Sequence, residues 1–167
     1  MNLPFNQFFD KQETQRTYFA EKMFAALHFS VEEVEAVASK KYSPLNYMLL
    51  TSYFQRLKTE KFVPKIHTLR QDEKNIWKGN KPIHPVYFNR TPRRFQFLPT
   101  FDCTGTQEIS IYPSFGVIEI NGRALTTEET ALLIKNDGFD NEEQFWAMFT
   151  TSFWGKIIHF TDFKYDW

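Results

Sequence analysis

Six residues, Lys65-Ile66-His67-Thr68-Leu69-Arg70, put an amine, an imidazole, a hydroxyl and a guanidinium into one short segment. Groups of these types, this close, can hold an anion or activate a hydroxyl. Read alone, a Thr between His and Leu in a strand is ordinarily just a β-former. His67 alternates with Thr68, so it is expected to face the other way and to serve structure only. Arg70 suits an anion anchor, because its planar fork matches a phosphate or a base edge.

The segment sits inside a charge-polarised chain. Residues 40–94 carry 13 Lys and Arg against Glu60, Asp72 and Glu73, a net of +10. Residues 1–39 carry −3 and residues 95–167 carry −7, which brings the total to zero. Such a block points to an anionic ligand or, more blandly, to a solvated face. Within it, RTPRRFQF interleaves Arg90, Arg93 and Arg94 with Phe95 and Phe97. Cations for phosphates beside rings for bases are the two parts of single-stranded nucleic-acid binding. The alternative is a basic loop anchored by two core phenylalanines. Trp77 either stacks a base or covers the turn that it precedes.

Composition narrows the classes. A chain of 167 residues suits one domain with a proper core, and its 42% hydrophobic and 24% charged content is ordinary for a globular protein. Nineteen Phe among the aromatics imply a Phe-rich core or exposed stacking surfaces, and core is the expectation. The single Cys103 rules out an intramolecular disulfide. No apolar run approaches a membrane span, and residues 1–9 lack a basic segment leading into an apolar one, so no membrane partner and a cytoplasmic location are expected. His28, His67, His84 and His159 are scattered with no Cys pair, so no metal site is assigned, and no cofactor is expected.

The elements that must position these groups can be read from periodicity. Phe19, Met23 and Leu27 form one apolar stripe over residues 15–28. Ser30 with Glu33 is a capping box, after which Val31, Val34 and Val37 or Ala38 face one way. Ser43 with Pro44 opens a third helix, with Leu45, Met48, Leu49, Ser52 and Tyr53 as its stripe. From residue 62 the pattern changes to short strands. WKGN at 77–80 is a turn, Ile83–Phe88 a strand interrupted by Pro85, and Cys103–Tyr112 an alternating strand with Ile109 and Ile111 opposite Thr106, Glu108 and Ser110. Val117–Ile120 before Asn121-Gly122 signals a hairpin. Thr126 with Glu129 caps a helix that ends near 136–138. Asp140 with Glu143 opens another, with Phe145, Met148 and Phe149 as its apolar face, and Lys156–Thr161 closes as a strand. Short strands with attached helices predict an α+β fold, plausibly a small barrel decorated by helices.

The order of signals is a helix, K-I-H-T-L-R, W-K-G-N, a strand, the T-G-x-Q-E-I strand and a final GKIIHFTDFKY. This order resembles the ASCH domain, a relative of the PUA family of RNA-binding barrels, and is similar to small uncharacterised ASCH-type proteins of phages and the Bacteroides group. The resemblance covers about residues 15–28 and 62–165. It implies a single ASCH/PUA-like domain over residues 1–167, a small β-barrel flanked by helices. Residues 30–60 then form a helical insertion whose role the family does not supply. The resemblance also implies a cleft lined by Lys65, Thr68 and Arg70 and a later carboxylate, for which Glu108 is the best match. A structural alternative makes Glu108 a salt-bridge partner of Lys65 or Arg70.

Three functions follow from the resemblance. The first is a module that binds RNA or a modified nucleoside through Lys65, Arg70, Trp77, Arg90, Arg93 and Arg94, with DNA as a further candidate. The second is an amidohydrolase for acylated cytidine-type nucleosides, with Thr68 as nucleophile, Lys65 as base and Glu108 orienting the amine or handling a proton. The third is a phage-type interaction module that contacts a protein partner through residues 30–60.

Overall fold

The computed structural model describes residues 1–9, 13–38 and 44–167, without the side chains of 38 and 44–50. The expected cap at Ser43 and the Leu45, Met48 and Leu49 side chains therefore lie outside the described residues. In chain order the strands are β1 (Asn2–Pro4), β2 (His67–Arg70), β3 (Pro82–Tyr87), β4 (Phe95–Gln96), β5 (Phe101–Asp102), β6 (Gly105–Tyr112), β7 (Val117–Ile120), β8 (Arg123–Ala124) and β9 (Phe153–His159). The helices are α1 (Phe19–Leu27), α2 (Val31–Ala38), α3 (Pro44–Thr59), α4 (Thr127–Asn136) and α5 (Glu142–Met148). The fold is α+β, with one sheet of mixed direction and one antiparallel. Among the described residues no helix is long and apolar enough to cross a membrane.

Two compact units form, residues 1–64 with 82–101 and residues 65–81 with 102–167. Residues 30–60, read above as an insertion, belong to the first unit with the N-terminal residues and 82–101. There β1 runs parallel to β3, with Leu3 opposite Pro85, and β4 runs antiparallel, with Tyr87 opposite Phe95. Pro85 is tolerated because the sheet uses its carbonyl, which accepts the Phe97 N–H at 3.2 Å. The phenylalanines do fill the core: Phe5 meets Phe19 and Phe97 edge-on, at 6.5 and 5.7 Å between ring centres.

Helix α1 starts later than the stripe suggests, because Tyr18 adopts a left-handed backbone (φ 51°) and ends the preceding chain there. Phe19 and Met23 are buried as expected, and Leu27 is half-buried. The Ser30–Glu33 box forms in both directions, with contacts of 3.1 and 2.8 Å, and seats Val34 in the core. Arg56 on α3 pairs with the buried Glu21 on α1 at 2.6 Å, and Tyr53 donates to the Phe97 carbonyl.

In the second unit the sheet order is β2-β9-β6-β7-β8, antiparallel throughout. β2 and β8 are its edges, so the sheet is open. Strand β9 lies between β2 and β6 and sets the rows that matter below: Arg70, Lys156 and Glu108 in one, Thr68, Ile158 and Thr106 in the next but one, on the same face. Ile109 and Ile111 are buried, as their alternation predicts. Asn121 and Gly122 both take positive φ, 51° and 82°, the geometry a two-residue hairpin needs to match strand twist. The Thr126–Glu129 box opens α4.

Two further boundaries and one apolar face differ from expectation. The cap of α5 is Asn141, not Asp140; its side chain accepts the Gln144 N–H at 2.9 Å, and Gln144 in turn accepts the Asp140 N–H. Either residue has the chemistry of a cap, and the Gln144 reach-back selects the later one. Phe145 is buried but Met148 is 42% exposed, so the apolar face of α5 is narrower than read. Strand β9 spans Phe153–His159, not Lys156–Thr161. Near its partner strand β6, Cys103 is buried, its thiol donating to the Gly105 carbonyl at 3.3 Å, and burial pushes its pKa up.

Gly155 in β9 has no room for a side chain. A Cβ there would lie 2.3 Å from the Arg70 carbonyl oxygen and 2.7 Å from the Phe153 ring. Gly155→Ala is expected to destabilise by about 1–3 kcal/mol, the range for overpacking. Urea unfolding reads this as a lower midpoint; an unchanged midpoint would mean that the end of β2 yields without cost.

Candidate functional site

The lysine of the motif is held by a partner that lies 72 residues away in sequence. The Ile66 N–H donates to the Asn136 carbonyl at 3.0 Å, and the Ile66 carbonyl accepts from Phe160 at 2.9 Å. These bonds fix the approach to β2 against the end of α4. Asp137 is the C-cap of α4, and Lys65 Nζ donates both to its carbonyl and to its Oδ1. An ammonium at a helix C-terminus meets the negative end of the helix dipole as well as the carboxylate. Lys65 is 1% exposed and Asp137 4%. Burial pushes the Asp137 carboxyl up, but the Lys65 charge and His67 outweigh it and hold the group below its ordinary value. Gly138 follows with φ +85°, and a Cβ there would meet the Lys65 stem at 3.1 Å, so glycine makes room for the buried lysine.

Behind this pair lies a buried polar cluster that local sequence patterns did not announce. His67 Nε2 lies 2.7 Å from the Tyr165 hydroxyl, which also accepts from Asn136 Nδ2 at 3.0 Å. His67 Nδ1 points toward Asp137 Oδ1 at 3.7 Å, beyond hydrogen-bond reach. That orientation favours a proton on Nδ1, with Nε2 accepting from the tyrosine. His159 Nε2 donates to Gln107 Oε1 at 2.9 Å, and Gln107 is clamped to the backbone of Tyr165 at 2.9 and 2.7 Å. Burial pushes His67 down and Tyr165 up. Burial first, then the repulsion that any charge on His67 would add and the Lys164 ammonium, lower His159 to about 3. Both imidazoles are thus neutral braces, as the alternation of His67 with Thr68 suggested.

The trio Lys65, Thr68 and Glu108 does not converge, which corrects the expected catalytic arrangement. Lys65 and His67 meet Asp137 on one side of the chain, and alternation turns the buried Thr68 to the other. Glu108 shares the Thr68 face but lies two strands across and two residues along, roughly 12 Å away. Its side chain is 73% exposed, and its carboxylate pairs with neither Lys65 nor Arg70, approaching Lys156 instead at 3.9 Å.

Lys156 is a residue the motif reading passed over. It donates to Asn75 Oδ1 and lies 3.5 Å from Asp72, whose carboxylate accepts the Ile76 and Trp77 N–H groups at 2.8 and 3.0 Å. This fastens the loop after β2 and buries Trp77, at 4% exposure, so Trp77 covers its turn and presents no ring to a base.

Arg70 does border an opening. A cavity of about 510 Å³ is lined by Leu69, Arg70 and Gln71 and by residues 148–153. Phe149 and Phe153 contribute rings meeting edge-on at 5.2 Å, and Thr150, Thr151 and Ser152 bring hydroxyls. Arg70 Nη1 donates to the Leu69 carbonyl at 2.7 Å. Burial lowers its pKa and the Asp137 charge counteracts this; a guanidinium keeps its charge at neutral pH in either case.

The arginine-rich loop is split in role. Phe95 and Phe97 are buried, so they anchor the loop and cannot stack bases, which corrects the interleaved reading. Arg94 donates to Asn2 Oδ1 at 2.8 Å, Arg93 lies over the Phe88 ring at 4.6 Å, and Arg90 is exposed. Among the described residues no group of three or more His, Cys, Asp or Glu is placed to hold a metal ion.

Compared with known proteins, the chain matches no protein-family model, no curated protein and no solved structure.

Two outcomes test this arrangement. Lys65→Met should cost about 3–5 kcal/mol, because it strands a buried carboxylate, and adding Asp137→Asn should recover much of the loss in a double-mutant cycle. An additive double mutant would remove the pair as a structural tie. Second, the unfolded chain protonates His159 near pH 6.5 and the folded chain only near 3, so stability should fall as pH is lowered across that window. His159→Leu should flatten the stability–pH slope there by up to about 1.4 kcal/mol per pH unit. An unaltered slope would place the titration elsewhere.

Proposed function

We propose that the protein is an ASCH/PUA-like module that binds a modified nucleoside or an RNA base at the opening beside Arg70. One observation carries this reading: Arg70, from the HTLR strand, borders a cavity of about 510 Å³ together with two aromatic rings and three hydroxyl-bearing residues. A base held against Phe149 or Phe153 gains stacking of about 1–3 kcal/mol. The guanidinium, held by its Leu69 carbonyl bond, then sets a planar positive charge beside a base carbonyl or a phosphate. The second unit holds nine Lys and Arg against 13 Asp and Glu, a net of −4, which suits a neutral nucleoside better than a long polyanion. The ASCH/PUA-like kinship belongs to the same proposal and is supported by the order of its motifs, with HTLR in β2 and TQEI in β6. Hydrolysis is left out, because Lys65 is held on Asp137 and Glu108 stands away from Thr68.

Calorimetric titration with free and acylated nucleosides, with hydrolysis assayed on the same samples, tests this. Binding without turnover is expected. Arg70→Ala should weaken affinity about tenfold or more, since a hydrogen bond to a charged group contributes about 1.5–3 kcal/mol. Arg70→Lys, which keeps charge without the fork, should recover only part. Equal affinity of Arg70→Ala and the parent protein would sink the site; turnover would overturn the non-catalytic reading.

A further inference from the structure

The first unit has its own opening, built from residues that the Arg70 site does not use. We propose that it is a groove for a single-stranded polynucleotide, with phosphates on Arg16 and Arg93 and bases against Phe8 and Phe88. The inference rests on the first unit alone and is independent of the nucleoside reading.

The groove encloses about 780 Å³ between residues 4–9, Arg16 and the chain that follows β3. Two guanidinium groups line it, each laid over a ring: Arg16 over Phe8 at 5.0 Å and Arg93 over Phe88 at 4.6 Å. A stacked guanidinium is held in place by the ring while its N–H edge stays available to a phosphate oxygen. Neither ring is fully buried, in contrast to Phe95 and Phe97. Of the arginine-rich loop, Arg93 thus meets a ring, but that ring is Phe88 and not Phe95 or Phe97.

The backbone holds Phe88 in an unusual state. Its φ is 52°, a left-handed conformation that costs a bulky residue of order 1–3 kcal/mol. Thr91 maintains it, donating to the Phe88 carbonyl from both its N–H, at 3.2 Å, and its hydroxyl, at 2.8 Å. That turn ends β3 and carries Phe88 and Asn89 to the groove. Asn6 and Asn89 add amides, which pair with base edges.

Charge selects the ligand. The first unit holds 11 Lys and Arg against seven Asp and Glu, a net of +4, opposite in sign to the second. Among the described residues that line the groove, Arg16 and Arg93 face one acid, Glu13. An acidic peptide would meet the rings only where it carries apolar or aromatic side chains, whereas every nucleotide brings a phosphate and a base. A polynucleotide strand uses cations, rings and amides together.

The test uses the full chain and fluorescein-labelled uridine and thymidine oligonucleotides, with a duplex of matching length, in anisotropy titrations from low to physiological salt. Both single strands should bind, the duplex more weakly, and affinity should fall as salt rises. Preference for the uridine oligomer would identify RNA as the source of the strand; equal binding would mean that the sugar is not read. Phe88→Leu and Arg93→Ala should each weaken binding about tenfold. Arg93→Ala should also reduce the slope of log K against log salt by about 0.7, while Arg93→Lys should restore the slope but not the affinity. Arg123→Ala, a cation of the second unit, should change nothing. Should either groove variant fail to fold by circular dichroism, Arg16→Ala carries the same expectation. Binding unaffected by the groove variants, an equal loss in Arg123→Ala, or no binding at low salt would overturn the proposal. Arg70→Ala should lose nucleoside binding while keeping oligonucleotide binding, so either site can fail without the other.

Discussion

A buried ammonium ion needs a buried counter-charge, and in the second unit that need organises much of the rest. Lys65 reaches Asp137 at the end of α4, and the pair ties the approach to β2 to a helix whose start is fixed by its own capping box. Gly138 has its left-handed backbone and missing side chain where the lysine stem passes. His67, next on the same side of the chain, then faces a carboxylate already committed to Lys65 and turns its other nitrogen to Tyr165. Buried polar groups of this kind are costly unless satisfied, so each member constrains the next. What began as a candidate catalytic lysine is thereby the reason that β2 has one position. Arg70, at the far end of that strand, inherits its place at the opening from the same tie.

Local chemistry was legible in the sequence, and distant pairing was not. Both capping boxes, at Ser30–Glu33 and Thr126–Glu129, form as read, because each needs only residues three apart. The Asn121-Gly122 hairpin and the burial of Ile109 and Ile111 follow from turn chemistry and a period of two. Strand β1 escaped notice since three residues carry no period, and its pairing with β3 joins positions about 80 apart. The lysine, threonine and carboxylate were grouped by proximity along the chain and by resemblance. Facing direction is what separated them, and for Lys65 it depended on where Asp137 would be. The unclaimed Lys156 explains why Trp77 is covered, yet nothing near either residue in sequence links the two.

The charge pattern carries a related lesson. The basic block at residues 40–94 is continuous along the chain but is divided by the fold, because residues 65–81 join the acidic second unit. A run of like charges in sequence is therefore shared between two folding units. Its arginines diverge too: Arg94 is spent on Asn2 and Arg93 is laid on a ring, and only the structure tells them apart.

Cys103 gives the molecule a built-in clock. Its thiol is wholly buried, bonded to the Gly105 carbonyl, and made less acidic by its surroundings. Thiolate is the reactive form, so a thiol reagent in solution meets almost none of it while the second unit is closed. It is also the chain's one cysteine, which leaves no competing sulfur to confuse the signal. The rate at which a thiol reagent consumes it therefore counts openings of the strand region around β6, under native conditions and without an engineered label.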